Sequence, residues 1–487
     1  MNNSNGTNRK NPSPSLLYTQ CAALSARRTP LHMPGHKRRT GPVPGLPYAW
    51  DLTEIDGADD LHGAQGILAE AMARTAALCG ARRSWYLVNG STVGLLAGIR
   101  ALAPRGSTVL AARNCHKAVY HAVELGGLAV RWLVPPLEPS FGVYGSISPA
   151  RVAAALRDCP QAACVVLTSP TFDGVLSDIA SIAEVCHAAG KPLLVDEAHG
   201  AHLLPLALPH GWRGGAVAAG ADLVVQSAHK TLPSLTQTAL LHLAGPLADP
   251  DEVERQLDVF ETSSPSYPLM ASLDGCTGWL AAEGPAAFAR WRARLSRFDA
   301  AAADLRAVRL LSRGGALPAA FWGYDDSKIE ADIGAPGAAF LRQRGFEPEM
   351  VCGNVVLALT SPCDADDTLD RYAAALRDYD ALLCRSGAGA GPVPSCRTAV
   401  PPLPAPGPAR CTIADALDRR PAVDLPAAQA AGRVAAEYVW AYPPGVPLLA
   451  PGEEITPAFL EFCRGLNAAG TRLRHTASAP GCLRVLA

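Results

Sequence analysis

Between residues 83 and 243 the chain alternates short, nearly continuous apolar runs with longer segments whose apolar positions recur every three to four residues. The runs SWYLV, STVLAAR, LAVRWLV, AACVVLTSP, KPLLVDEA, ADLVVQ and TALLHL predict strands. VGLLAGIRALA, CHKAVYHAVELG, SPARVAAALRDC and SIAEVCHAAG, which lie between them, predict helices. Strands apolar on both faces and separated by helices imply an α/β fold with a mostly parallel sheet covered on both sides. Ligands of such folds collect at the loops beyond the carboxyl ends of the strands.

Around this core the pattern is less regular. Residues 1–14 are polar and read as a floppy tail rather than a signal peptide. Residues 15–50 form an N-terminal segment: LLYTQCAALSA predicts a short helix, and the Pro/Gly-rich TPLHMPGHKRRTGP over 29–42 excludes regular structure. GILAEAMARTAALCG, residues 66–80, has helical periodicity and ends in Gly80. The large domain is expected over 51–300, with a long helix over 284–311 bridging onward. A smaller domain is expected in two parts, 301–385 and 412–487, separated by a Pro/Gly-rich linker or loop at 386–411. AAQAAGRVAAEYV, residues 427–439, predicts a helix in the last part.

Composition narrows the class. The 487 residues are 49% hydrophobic and only 18% charged, which suits a large, well-buried protein and excludes a disordered one. Forty-three basic residues nearly balance forty-four acidic ones, so the basic excess of a nucleic-acid binder is missing. No apolar run reaches the roughly 18–20 residues that span a bilayer. The fourteen cysteines are scattered without CxxC spacing, which argues against zinc and for buried free thiols in a reducing, cytoplasmic setting.

Four segments carry candidate chemistry. NGST, residues 89–92, follows a strand and opens a helix, so backbone N–H groups at Gly90 with the hydroxyls of Ser91 and Thr92 can hold a phosphate. An ordinary glycine turn with a Ser/Thr cap explains the same residues equally well. Asp196 ends a predicted strand, where a carboxylate either caps the surface or pairs with a protonated ring nitrogen. Ala198 is small enough to let a ring lie against the backbone, while Glu197 and His199 have no clear assignment. His116, at another strand-to-helix transition, either stacks on a ring or satisfies a backbone group. Ser227 and His229 flank Lys230, whose amine, if enclosed, becomes a nucleophile towards a carbonyl. These signals are individually weak, but all of them suit one phosphate-bearing aromatic aldehyde.

The run SAHKTLPSLTQTALLH at 227–242, with VDEAHGAH, TPLHMPGHK, DLTEIDGADDLHGAQG, LVNGST, ARNCHKAVYHA, LTSPTFDG, TSSPSYPLMASLD and YPPGVPLLAPGEEIT, resembles the pyridoxal-phosphate-dependent ornithine/lysine/arginine decarboxylases. The resemblance spans about residues 15–465 in order. It implies the fold type I architecture of the aspartate aminotransferases: a large, mostly parallel seven-stranded sheet domain and a smaller C-terminal α+β domain. It also implies pyridoxal 5'-phosphate bound covalently to Lys230, with Asp196 on the ring nitrogen and His116 on the ring face. Gly90, Ser91, Thr92, Ser227 and His229 would serve the phosphate or its surroundings, and Thr171, Ala198 and His199 would border the ring. Ser264, Ser266 and Tyr267 resemble a segment that completes the neighbouring subunit's site, which makes a homodimer the minimum unit and leaves a higher homo-oligomer open. Glu54, Asp59 and Asp60 are candidates for shaping the substrate entrance. LHMPGHK follows almost at once, so the compact form without a wing domain is expected, and Phe172 stands where the family commonly has tyrosine.

The implied reaction is α-decarboxylation of a basic amino acid, giving agmatine or a diamine and carbon dioxide, with arginine slightly favoured over lysine and ornithine by analogy with the compact subgroup. His229 and Lys230 are alternative proton donors to Cα. Aminotransfer, oxidation or elimination on the same cofactor is the competing reading, and a non-catalytic metabolite-binding relative is a third. No metal is expected.

Overall fold

The computed structural model describes residues 16–27, 29–38, 45–385, 404–418, 421–441, 446–468 and 473–487. The expected tail at 1–14 and most of the expected linker, 386–403, lie outside the described residues. Helices α1 (Leu16–Arg27) and α2 (Ile67–Cys79) lead into a seven-stranded sheet. Its strands are β1 (Arg83–Leu87), β2 (Thr108–Ala112), β3 (Ala129–Leu133), β4 (Ala162–Thr168), β5 (Leu193–Asp196), β6 (Leu223–Gln226) and β7 (Ala239–Leu243), in the order β1-β7-β6-β5-β4-β2-β3. Pairing is parallel from β3 across to β6, and only β7 runs against its neighbours. Each predicted strand is found, because runs such as Leu223–Gln226 are buried throughout and need cover on both faces.

The cover comes from α3 (Gly90–Leu102), α4 (Lys117–Gly126), α5 (Pro149–Asp158) and α6 (Ile179–Ala188). Helix α3 lies hard against the sheet: a Cβ at Gly94 would stand 2.7 Å from Leu87 Cδ1. After the one-turn helix α7 (Ala228–Thr231), α8 (Pro250–Phe260) leads to α9 (Tyr267–Ala302), a helix of 36 residues. The sequence places this long helix at 284–311, and the structure corrects both ends. It starts at Tyr267, whose buried ring and following Pro268 suit a first turn, and it stops at Ala302 before the chain enters β-structure.

Beyond α9, strands β8 (Lys328–Asp332), β9 (Met350–Cys352) and β10 (Val355–Leu359) form an antiparallel sheet with α10 (Gly334–Gln343) and α11 (Thr368–Arg385). The last segment contains α12 (Ile413–Asp418), β11 (Ala422–Pro426), β12 (Val439–Ala441), β13 (Pro447–Leu449), α13 (Pro457–Ala468), β14 (Leu473–His475) and β15 (Cys482–Leu486). The helix expected over 427–439 is absent. A single 3-10 turn at Ala427–Gln429 is followed by Gly432 at φ +75°, and Ala435 and Ala436 donate to Glu453 and Arg484 carbonyls instead of to their own helix. Remote backbone partners outweigh the helical propensity of the alanines.

This last segment does not stand apart. Ile413, Tyr438 and Ala450 belong to the same buried cluster as β1 and α4. Arg113, just past β2, is 2% exposed and bonds both Glu453 Oε2 and the Leu448 carbonyl at 3.0 Å, while its guanidinium lies over Trp132. Among the described cysteines thirteen are free and seven of these are buried; burial pushes Cys79 and Cys164 up to about 12, which makes both inert. No described helix is long and apolar enough to cross a membrane.

Candidate active site

The carboxyl ends of β4, β5 and β6 converge with the amino ends of α3 and α4. Parallel strands must all present the same end to one edge, so the residues that follow them gather there. Lys230 follows β6 within α7, and its Nζ lies 2.8 Å from Nε2 of His199, which follows β5. Burial lowers the affinity of Lys230 for its proton, with Lys328 adding to the effect and Asp196 and Glu349 opposing it. Asp196, the last residue of β5, is 3% exposed and accepts from Ala198 N–H at 3.1 Å. Burial raises its pKa, and the Lys230 amine pulls against that. A buried carboxylate in this state gains most from a further cationic partner.

His116 is the N-cap of α4: its Nδ1 accepts from Ala118 N–H at 3.3 Å. The ring is therefore unprotonated at Nδ1, and burial followed by the nearby Lys230 depresses its pKa to about 4. Capping and ring stacking are compatible, since the cap uses one edge and leaves the faces free. His199 is more strongly depressed, again by burial first and then by Lys230, Lys328 and His116. Its ring meets Phe172 edge-on at 5.1 Å, and its buried Nδ1 has no hydrogen-bond partner among the described residues.

At the start of α3, Gly90 adopts φ +76°, a turn that favours glycine. Ser91 Oγ and Ser227 Oγ are 2.9 Å apart, which brings two hydroxyls from distant loops to the N-terminus of a 13-residue helix. Thr92 is exposed on the same turn. His229 donates from Nδ1 to the Thr238 carbonyl at 2.7 Å, which leaves Nε2 as its acceptor. The donor set fits a phosphorylated pyridine aldehyde: N–H groups and two hydroxyls for the phosphate, a buried carboxylate for a ring cation, and an amine for the aldehyde.

Several residues named from the sequence also make bonds within the scaffold. The Thr171 hydroxyl accepts from Val175 N–H at 3.1 Å and closes the 171–175 turn. Glu197 faces away and binds Ala216 N–H and Gln226 Nε2. Asp59 accepts from Gly66 and Leu68 N–H at 2.8 and 3.0 Å, so it caps α2. Ser264 is exposed and Ser266 is the N-cap residue of α9 without a side-chain bond, while the Tyr267 hydroxyl donates to the Asp59 carbonyl of its own chain at 2.7 Å. Three further residues of the smaller α+β unit carry no sequence signal: Lys328 bonds the His199 carbonyl, Asp325 holds Lys328, and Glu349 acts on Lys230 by its charge.

Residues 47–287 match the model of the Orn/Lys/Arg decarboxylase major domain, and residues 404–474 match that of the Orn/Lys/Arg decarboxylase C-terminal domain. The arginine decarboxylase of Bacillus anthracis is 30% identical over 475 residues, which cover 93% of either chain. The chain belongs to the Orn/Lys/Arg decarboxylase family. The uncharacterized protein YaaO of Bacillus subtilis is 44% identical over 225 residues, or 46% of either chain. The solved structure of the constitutive lysine decarboxylase of E. coli superposes with a TM-score of 0.79 at 21% identity, covering 96% of this chain and 81% of that one. That likeness extends the shared fold of Orn/Lys/Arg decarboxylases to this chain, including the mostly parallel sheet and the smaller α+β domain.

Proposed function

We propose that this protein decarboxylates a basic amino acid at Cα, using pyridoxal 5'-phosphate bound covalently through Lys230. The observation that carries the reading is the Lys230 amine, half-buried and 2.8 Å from a neutral His199, at the strand edge where Asp196 also ends. When bound, the cofactor supplies an electron sink for the pair released with carbon dioxide.

The chain's own groups do the rest. Lys230, its proton affinity lowered by burial, is the nucleophile. Asp196 holds a proton at the ring nitrogen, where its buried charge is worth more than in water. His116, at the start of α4, would cover one ring face, and Gly90, Ser91 and Ser227 would hold the phosphate. Thr92 and His229 would support that hold, and Ala198, Thr171 and His199 would border the ring. Lys230 returns a proton to Cα, because the neutral His229 commits its Nδ1 proton to the Thr238 carbonyl and leaves Nε2 as an acceptor. Glu349, exposed yet acting electrostatically on Lys230, is suited to the distal cation of the substrate. Relatives named as arginine and lysine decarboxylases support a basic substrate, with arginine favoured because the B. anthracis enzyme matches over nearly the whole length. A homodimer is the proposed unit, with Ser264 and Ser266 offered to the partner's site, in a cytoplasmic setting.

The test is mass-spectrometric product detection against arginine, lysine, ornithine and unrelated amino acids, alongside the visible band of the holoenzyme. Agmatine or a diamine with loss of carbon dioxide is expected, and Lys230→Ala abolishes both band and turnover. A product that keeps its α-carboxylate, or full turnover in Lys230→Ala, overturns the reading.

A further inference from the structure

Lys328 is a second lysine at the site, and it comes from the smaller unit. It is 0% exposed, and its ammonium donates to the His199 carbonyl at 3.2 Å, Asp325 Oδ2 at 3.0 Å and Ser327 Oγ at 3.0 Å. Those three bonds use all its donors. Asp325 in turn faces His202 Nε2 at 3.1 Å, and its own N–H donates to the Gly174 carbonyl at 2.8 Å. Gly174 has φ +92°, and a Cβ there would stand 2.8 Å from Lys328 Cγ, so the 171–175 turn is pressed onto the lysine stem. One turn of the small unit, 325–328, thus grips the 171–175 turn carrying Phe172 and the 196–202 segment carrying Asp196 and His199, whose ring meets both Phe172 and Lys230.

We propose that Lys328 is a positioning residue for the decarboxylation: it anchors the His199 carbonyl, and through Asp325 the His202 ring, so that His199 Nε2 meets the Lys230 amine. The inference rests on the reading of Lys230 as the cofactor lysine. A buried ammonium without partners is costly, and these partners are what make a lysine tolerable here. Asp325 carries the matching charge. Burial would raise its pKa, but Lys328 and His202 hold it well below the carboxylate range. The charge of Lys328 also reaches the reacting amine. Lys230 is faced by Asp196, Lys328 and Glu349 as charges and by His116, His199 and His229 as neutral rings. Removing one cation from that set favours the protonated state of the lysine nitrogen.

The experiment compares holoenzymes of the wild type, Lys328→Met and Ser327→Ala, measuring kcat, KM and the pH midpoint of the visible band. Lys328→Met is expected to lower kcat by about tenfold or more with KM changed less than about threefold, and to move the midpoint upward by about half a pH unit or more. Ser327→Ala removes one of the three bonds and is expected to move kcat and midpoint in the same direction by less. A folded Lys328→Met protein with unchanged kcat and midpoint overturns the proposal, even if its melting temperature falls, because that is a purely structural role. Where Lys328→Met fails to fold, Ser327→Ala decides: an unmoved midpoint and kcat overturn it. A wild type with no visible band and no carbon dioxide release removes the functional reading and this one with it. A normal wild-type band with unmoved variants removes this one alone.

Discussion

Asp196 and Glu197 are neighbours with opposite surroundings, because successive side chains at the end of a strand point to opposite faces. Asp196 turns to the site edge beside Lys230, whereas Glu197 turns towards Gln226 and Ala216 N–H and is fully buried. Burial pushes Glu197 up to about 8, against the hydrogen bonds from Gln226 and Ala216. The sign of the consequence follows from proton counting. Between pH 4.5, its ordinary value, and about 8 the folded chain holds this proton more tightly than the unfolded chain, so stability falls as pH rises through that window. Glu197→Gln, which cannot ionise, is therefore expected to flatten the decline in melting temperature between pH 5 and pH 8, as read by calorimetry. An unchanged slope would show that Glu197 titrates near its ordinary value. The motif DEAH names both residues but says nothing about which acid is spared for chemistry. His199 is a similar case: burial first, then Lys230 and Lys328, depress its pKa, and neither lysine is near it in sequence.

Among the elements, α2 illustrates how a polar residue is recruited by backbone rather than by substrate. Its first N–H groups lack helical partners, and Asp59, at φ +70°, accepts from Gln65, Gly66 and Leu68. Burial would raise its pKa, but those N–H groups hold it below the usual range. Asp59→Ala is expected to destabilise the protein by about 1–2 kcal/mol in chemical denaturation while leaving KM for the amino acid unchanged. A rise in KM without loss of stability would return Asp59 to the substrate entrance. Strands β1–β7 and helices α2–α6 were legible because their apolar spacing is decided by burial on a two-sided sheet. The ends of α9 and the 427–439 segment were not. A continuous helix through Pro285 and a non-helical alanine run both depend on partners far away in the chain.

On the scale of the whole molecule, the buried Arg113–Glu453 pair joins the C-terminal segment to the end of β2, three residues before His116. The two side chains are 2% and 4% exposed, so removing one partner strands a charge away from water. Glu453→Ala is expected to lower stability by about 3–5 kcal/mol and to speed proteolysis of the 404–487 segment. An unaltered unfolding midpoint would mean that apolar packing of Ile413, Tyr438 and Ala450 alone holds the segment in place. The small unit reaches the same region from another side through Lys328, so two later segments converge on loops made by the first half of the chain.

By itself the sequence determined the alternation of strands and helices, the order of the sheet's candidate loops, and the residue types that suit an aldehyde cofactor. Those features are local: spacing sets which face is buried, and a lysine or aspartate is recognisable wherever it stands. Tertiary structure decided which of the candidates meet. It brought Ser91 to Ser227 and Lys230 to His199, assigned Asp59 and Glu197 to the scaffold, and supplied Lys328 and Glu349 from a unit with no motif of its own. The physical reason is that burial and charge act through space, where distances between loops are set by how the sheet and its cover pack.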